Sequence, residues 1–301
     1  MENKRINYSF IIPHKNCPDL LQRCVDSIPE RDDVQIIVVD DNSDDGKKPL
    51  LRERKNLQVI LLDAIQSKGA GRARNVGLKQ AEGKWLLFAD ADDAFTNNLT
   101  SFLDFYVENE NVDMVIINAY GIEKDGREIY LRQQMYFDNW RTKHWYAEKV
   151  LRYEMWTPWS RMVRKSFVKR HNIRFEEVPI GNDIVFGLLC SKFSRNIDVY
   201  DKHVYNYYLP VNRSLTDSYR RCFTNIGIVI DHYIFRYKIY KEVGYIFKPS
   251  HLFYLMTFKA NGDKLDFAKE YLKALKGRKY NLLKDVLYML LHIVGKTMRI
   301  I

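Results

Sequence analysis

The sequence lacks the features that would carry a chain across a bilayer or tie it to a disulfide framework or a repeat array. Its longest apolar run, VLYMLLHIV near the C-terminus, is about half of the ~18 to 20 residues that a membrane span requires. Only four cysteines occur in 301 residues, and Cys17, Cys24, Cys190 and Cys222 form no C-x-x-C pair or other metal-type spacing. Cys17 and Cys24 stand seven apart in a stretch of helical pattern, so they are expected to pack on one helix face rather than to pair. The opening MENKRINYSF carries no apolar leader, which predicts a cytoplasmic, reducing location. Internal repeats and low-complexity linkers are missing too.

What is present is a large core and an excess of positive charge. Hydrophobic residues make up 46% and aromatics 14% of the chain, enough for a globular fold of one or two domains. A net charge of +10 points to an anionic partner: nucleic acid, an anionic membrane face or a phosphorylated substrate. A nucleic-acid-binding protein would explain the charge. Its aromatics, however, do not interleave with Lys and Arg in a recognisable motif, so no nucleic-acid partner is expected.

The first third alternates short apolar runs, YSFIIP, VQIIVVD, LQVILLD and KWLLFAD, with helix-like stretches such as CPDLLQRCVDSI and residues 71–80. Continuous apolar strands between helices predict βαβ units and a mostly parallel, Rossmann-like α/β sheet covered on both faces. Pro18 suits the first turn of its helix, with Asn16 or Cys17 at the cap. Further on come a strand, DMVIINAY, a hairpin-like GIEKDGREIY and an aromatic-rich segment containing Trp156 and Trp159. A main domain is expected over residues 1–210 and a helical, basic region over 211–301.

Ligands of such sheets collect at the carboxyl ends of strands. Two acidic clusters fall there: Asp40 and Asp41 after VQIIVV, and Asp90, Asp92 and Asp93 after KWLLFA. Crowded carboxylates repel unless a cation or donors neutralise them, and hard Mg²⁺ or Mn²⁺ commonly bridges carboxylates to nucleotide phosphates. A helix cap is the other reading, with Asp92 or Asp93 capping AFTNNLTSFLDF; Asp93 can cap while Asp90 and Asp92 bind metal. Asn42 to Gly46 also suit a plain polar turn. In SKGAGRARNVGL, Arg72, Arg74 and Asn75 open a helix where backbone amides and guanidinium forks suit phosphate or a carboxylate.

SFIIPHKN, IIVVDDNSDD, GAGRARNVGL and LLFADADD together resemble, in order and spacing, the motifs of family-2 glycosyltransferases with the GT-A fold, over about residues 8–215. The resemblance implies that Pro13, Lys15, Asp40 and Asp41 hold the base and ribose of a nucleotide sugar, with uridine the expected base. It implies that Arg74 lies near the nucleotide, and that Asp90 and Asp92 are the D-x-D pair that meets Mn²⁺ or Mg²⁺ at the diphosphate, Asp92 most directly. PHKN departs from the family, which more often has Thr-Tyr between Pro and Asn. The segment VPIGNDIVFGLL resembles the family's G-E-D-x-x-F, with Asn182 in place of Glu and Asp183 left as the catalytic base of an inverting transfer. Asp183 also precedes an apolar helix pattern and can cap it. Trp156 and Trp159 fall where the family builds its acceptor cleft, as sugar platform or core. His203 resembles a further metal or diphosphate contact, and Arg213 and Ser214 a feature near the diphosphate.

Near the C-terminus Leu283, Leu287, Leu290, Val294 and Met298 recur at three- and four-residue steps beside Lys284, Lys296 and Arg299. Such an amphipathic helix packs on protein or contacts an anionic membrane at the cytoplasmic face of an inner membrane. The expected activity is transfer from a nucleotide sugar to a saccharide or lipid-linked saccharide in capsule, lipopolysaccharide or exopolysaccharide assembly. A nucleotidyltransferase is the alternative, and the G-N-D and A-R-N segments argue against it.

Overall fold

Every residue of β1 (Tyr8–His14) is buried, as a continuous apolar run requires of a strand with helices on both sides. The computed structural model describes residues 5–143, 145–209 and 226–245. Contacts gather Met1–Val211 into one compact unit and Asn212–Ile301 into another. In the first unit β1 is flanked in parallel by β2 (Val34–Asp40) and by β4 (Trp85–Phe88), and β3 (Leu57–Leu61) extends the sheet beyond β2. On the other side the order runs from β4 to β8 (Arg161–Arg164), β6 (Met114–Ile122), β9 (Ile197–Tyr208) and β5 (Ala94–Phe95), with β7 (Glu128–Ile129) paired to β6. The strand β8 is antiparallel to both its neighbours, so β6 and β9 again run with β1.

Alternation along β1 divides the interior into two cores. Phe10 and Ile12 meet α1 (Pro18–Asp26) and α3 (Asn98–Tyr106) through Leu21, Cys24, Phe102 and Tyr106. Ile11 faces the opposite core with Ala73 of α2 (Ala70–Gln80) and Phe186 of α7 (Ile184–Phe193). The helix α2 lies so close to β1 that a Cβ on Gly77 would meet Cγ2 of Ile11 at 2.5 Å. Pro18 occupies the first turn of α1 with Cys17 at the cap position, as expected. Three further α-helices, α4 (Arg132–Arg141), α5 (Ala147–Glu154) and α6 (Lys165–Arg170), and a short 3-10 helix, Pro158–Ser160, complete the described part of this unit.

The pairing of β6 with β9 carries an irregularity. Ile117 stands opposite Tyr200, Asn118 opposite His203 and Ala119 opposite Tyr205. Across this stretch β9 holds three residues more than β6, an odd number, so side-chain parity inverts. Even-numbered Asp198 and Tyr200 pack beside Tyr106 and Phe102 before the bulge, and odd-numbered Tyr205 and Tyr207 pack on that same face after it.

The sheet is the mostly parallel α/β arrangement that the strand pattern predicts. In the second unit the described residues form a helix, Ile226–Glu242. The amphipathic pattern from Leu283 to Met298 lies outside the described residues. Among the described residues no helix is long and apolar enough to cross a membrane.

Candidate active site

Because β1, β2 and β4 are parallel neighbours, their carboxyl ends deliver Pro13 to Lys15, Asp40 to Asp41 and Asp90 to Asp93 to one edge. Pro13 lies buried in β1 opposite Val39. His14, next along, is also buried, and its Nδ1 stands 2.7 Å from Oδ1 of Asp40. The Cys17 amide donates to its Nε2 at 3.2 Å. A backbone N–H must donate, so Nε2 is bare and the proton sits on Nδ1, facing the carboxylate. Ser43 completes the pocket of Asp40, donating through Oγ at 2.5 Å and through its amide at 3.0 Å.

Asp41 is buried as well and faces α2 rather than solvent. Its Oδ1 accepts the Lys68 amide at 3.1 Å and its Oδ2 the Gly69 amide at 3.0 Å. These bonds fix the turn entering α2, where Gly69 has φ 84°. Both acidic residues at the end of β2 therefore hold backbone amides. Lys15 is half exposed; its Nζ donates to the Asp41 carbonyl at 3.1 Å and lies 3.7 Å from Oδ2.

Arg74, one turn into α2, is almost entirely buried and joins two motifs. Nη2 meets Oδ1 of Asp90 at 2.5 Å and Nη1 meets Oδ1 of Asn182 at 2.8 Å. Phe175 lies under the guanidinium, 5.4 Å from its carbon. Gly71 permits this approach, since a Cβ there would collide with the Glu176 carbonyl and press on Cβ of Asn182. Asn75 adds bonds to the amide and the carbonyl of Phe175 at 3.0 and 2.9 Å.

The three carboxylates after β4 separate by environment. Asp90 faces Arg74. Asp92 is exposed, yet the surrounding protein and the Asp90 charge push its carboxyl above the ordinary range, with Arg23 opposing. Asp93 is fully buried, and burial first, then Asp90 and Asp92, raise it well above the ordinary range. It accepts from the Tyr205 hydroxyl and from the Tyr208 amide, both at 2.8 Å. That same Tyr205 oxygen accepts the Asp90 amide at 3.0 Å. Arg23 of α1 donates to the Asp92 carbonyl and lies 3.7 Å above the Tyr208 ring.

The expectation that Asp92 or Asp93 caps the next helix is corrected here. That helix starts at Asn98 with Asn97 at the cap position, and β5 intervenes. Buried donors from β9 claim Asp93 instead.

Asp183 occupies the cap position of α7, but its side chain makes no capping bond. The helix is held there by backbone, the Gly187 amide bonding the Asp183 carbonyl at 2.9 Å. Behind it lies Arg161, fully buried, with Nη1 donating to the Gly187 carbonyl at 2.7 Å. Burial pulls the Arg161 guanidinium down to about 10, against the opposing influence of Cys190 and Asp183.

The Nε2 atom of His203 is 3.1 Å from the Tyr205 carbonyl, Nδ1 is 3.8 Å from Glu128, and the ring packs on Tyr120; burial lowers its pKa. Trp159 is buried, stacked on Tyr205 at 5.2 Å and 5°, which makes it core, while Trp156 is half-buried. Arg213 and Ser214 lie outside the described residues. His14, Ser43, Arg23, Tyr205 and Tyr208 had no sequence signal of their own, apart from His14 standing where the resembling motif has Thr.

Among the described residues, no three His, Cys, Asp or Glu side chains gather into a self-sufficient metal cage. Asp92 with the second oxygen of Asp90 could hold a hard divalent cation that shares them with phosphate oxygens. The donors are all oxygen, in a place where negative charge accumulates at a cost.

Comparison with known proteins matches residues 9–174, more than half of the chain, to the family model "Glycosyl transferase family 2". The poly(ribitol-phosphate) beta-N-acetylglucosaminyltransferase TarS of Staphylococcus aureus is 26% identical over 210 residues, 67% of this chain and 35% of TarS. The UDP-Glc:alpha-D-GlcNAc-diphosphoundecaprenol beta-1,3-glucosyltransferase WfaP of Escherichia coli is 34% identical over 119 residues, 39% of this chain and 47% of WfaP. These matches span less than half of either relative's length. Residues 1–349 of TarS with UDP-GlcNAc share the fold at a TM-score of 0.58, 19% identity and coverage of 94% of this chain and 78% of that one. So does the mannosyltransferase PcManGT of Pyrobaculum calidifontis with GDP-Man and Mn²⁺, at 0.52, 14% identity, 99% and 82%.

Proposed function

The chain belongs to glycosyl transferase family 2, and from that premise we propose that it moves a sugar, with inversion, from a nucleotide sugar carried on uridine diphosphate to a saccharide or lipid-linked saccharide acceptor of a cell-surface polymer. The observation that carries this reading is the Arg74 junction, which ties the first residue of the D-x-D pair to the loop presenting Asp183. TarS, crystallised with UDP-GlcNAc, and WfaP, named for a diphosphoundecaprenol-linked acceptor, support the donor and acceptor classes.

In this reading Pro13, Lys15 and the backbone pinned by Asp40 and Asp41 form the nucleoside side of the site. Asp92 and Asp90 hold Mn²⁺ or Mg²⁺, which when bound supplies positive charge against the leaving diphosphate. Arg74 keeps Asp90 turned toward that position. Asp183 takes the proton of the acceptor hydroxyl as its oxygen bonds the anomeric carbon from the face opposite the diphosphate. The old C–O bond breaks with its electron pair on the nucleoside diphosphate. Residues 1–210 carry this chemistry, and the basic region 211–301 attaches to an anionic membrane face at which a lipid-linked acceptor is presented.

A screen of nucleotide sugars with Mn²⁺ and Mg²⁺ tests the reading, following nucleoside diphosphate release in wild type and Asp92→Ala. Metal-dependent release, lost in Asp92→Ala, is the expected result. Release of pyrophosphate instead would assign the site to nucleotidyl transfer.

A further inference from the structure

The five tryptophans of the chain all fall within the described residues and divide by exposure. Trp85 and Trp159 are buried, Trp140 and Trp156 are half-buried, and Trp145 is 78% exposed. An indole carries on the order of 150 to 250 Å² of surface that is favourable to bury. Trp145 stands in the turn between α4 and α5, edge-on to Tyr146 with centroids 5.1 Å apart. With Trp140, Arg141, Lys143 and Glu148 it lines a hollow of ≈ 500 Å³.

Two indoles set among three charged side chains make a lining of mixed character. An apolar protein or lipid surface seated here would strip water from Arg141, Lys143 and Glu148 without replacing their hydrogen bonds. A sugar ring replaces them, because it has an apolar C–H face for an indole and hydroxyls at its edge for charged donors and acceptors. Arg141 is already rigid: Nε and Nη2 bond the Asp201 carboxylate at 2.7 and 2.6 Å, and Nη1 bonds Asp138. A preset donor of this kind loses little freedom when a ligand arrives.

We infer that this hollow is a second saccharide subsite, which grips an oligosaccharide acceptor at a distance from the reacting hydroxyl. The inference rests on the glycosyltransferase reading and deepens it. The helix α5 leads from the hollow toward the reaction; its eight residues span about 12 Å. Just past its far end the Trp156 carbonyl lies against Gly187, where a Cβ would collide with it, in the turn whose amide bonds the Asp183 carbonyl. Along this path α5, the two residues after it and the turn from Gly187 to Asp183 separate the hollow from Asp183 by on the order of 20 Å, a separation that several linked sugars bridge and a single one does not. The acceptor class is accordingly a growing oligosaccharide chain, not a monosaccharide.

The test uses the full chain and defined oligosaccharides, disaccharide to octasaccharide, on an array and then in solution by tryptophan fluorescence. Wild type is expected to retain longer oligosaccharides but not disaccharides. Trp145→Ala should weaken the retained ones about tenfold, with Trp145→Phe intermediate. Both variants should keep the wild-type melting temperature and the wild-type rate of donor hydrolysis measured without acceptor. Failure of wild type to bind any oligosaccharide, or equal binding by Trp145→Ala, overturns the subsite. Asp183→Asn separates the two readings: it should lose transfer and keep oligosaccharide binding. Oligosaccharide binding through Trp145 in a protein that turns over no nucleotide sugar would overturn the enzyme reading and leave the subsite standing.

Discussion

Asn182 accepts a 2.8 Å hydrogen bond from Nη1 of Arg74, while Nη2 of the same guanidinium binds Asp90 at 2.5 Å. The planar fork spans two motifs that lie 92 residues apart in the chain, a geometry that a lysine ammonium cannot copy. Arg74→Lys keeps the charge and loses the span. Turnover is expected to fall about 10²-fold, as for a small misplacement of reacting groups, with the fold retained by circular dichroism. Turnover within a few-fold of wild type would remove Arg74 from the positioning role.

Asp183 is the proposed base. Asp183→Asn conserves shape and removes the ability to take a proton, so transfer should fall about 10² to 10⁴-fold. Nucleotide affinity, measured by calorimetry with UDP and Mn²⁺, should stay at the wild-type value, since a base for the acceptor hydroxyl does not hold the donor. A loss of affinity that accounts for the lost rate would move Asp183 to donor binding.

Chelation should abolish transfer, and Mn²⁺ should restore it in wild type. In Asp92→Ala the restoration is expected to fail, or to need far higher metal. The check is a metal titration of nucleoside diphosphate release in both proteins; identical midpoints would exclude Asp92 as a ligand.

Gly71→Ala drives a methyl group into the Glu176 carbonyl and against Asn182. Overpacking of this sort costs about 1 to 3 kcal/mol, measurable by urea denaturation. Transfer should drop further than stability explains at assay temperature, because the displaced loop carries Asn182 and Asp183.

Tyr205→Phe removes one hydroxyl from a chain of three groups: the Asp90 amide, the phenol and the Asp93 carboxyl. A half-buried amide and a buried carboxyl each lose a partner, for about 1 to 3 kcal/mol of stability. An unchanged denaturation midpoint would show that the phenol contributes nothing net.

The parallel half of the sheet was legible because strands buried on both faces need continuous apolar runs, and YSFII, VQIIVV and WLLF supply them. The carboxyl-edge position of both acidic clusters followed from the same runs. Their partners did not. Asp40 and Asp41 read as ligand-facing, and their bonds to His14, Ser43 and the Lys68 and Gly69 amides are contacts that no local pattern encodes. Asp93 read as a cap because β5 is two residues long and leaves almost no periodic trace. The strand β8, Arg-Met-Val-Arg, was missed for a similar reason: its apolar core is only two residues, and Arg161 at its start is buried in defiance of its type. Tyr205 was unreadable for yet another reason, since its facing depends on residues paired across the sheet.

That facing has a genetic consequence. Because the bulge in β9 shifts parity by an odd count, Tyr205 reaches Asp90 and Asp93 only while the number of residues from Tyr200 onward is kept. Substitutions within Asp201 to Val204 change single contacts, whereas loss or gain of one codon there turns Tyr205 and Tyr207 to the other face together. In a library of variants this stretch should therefore tolerate spelling changes and reject changes of length, behaving like a reading frame written in side chains.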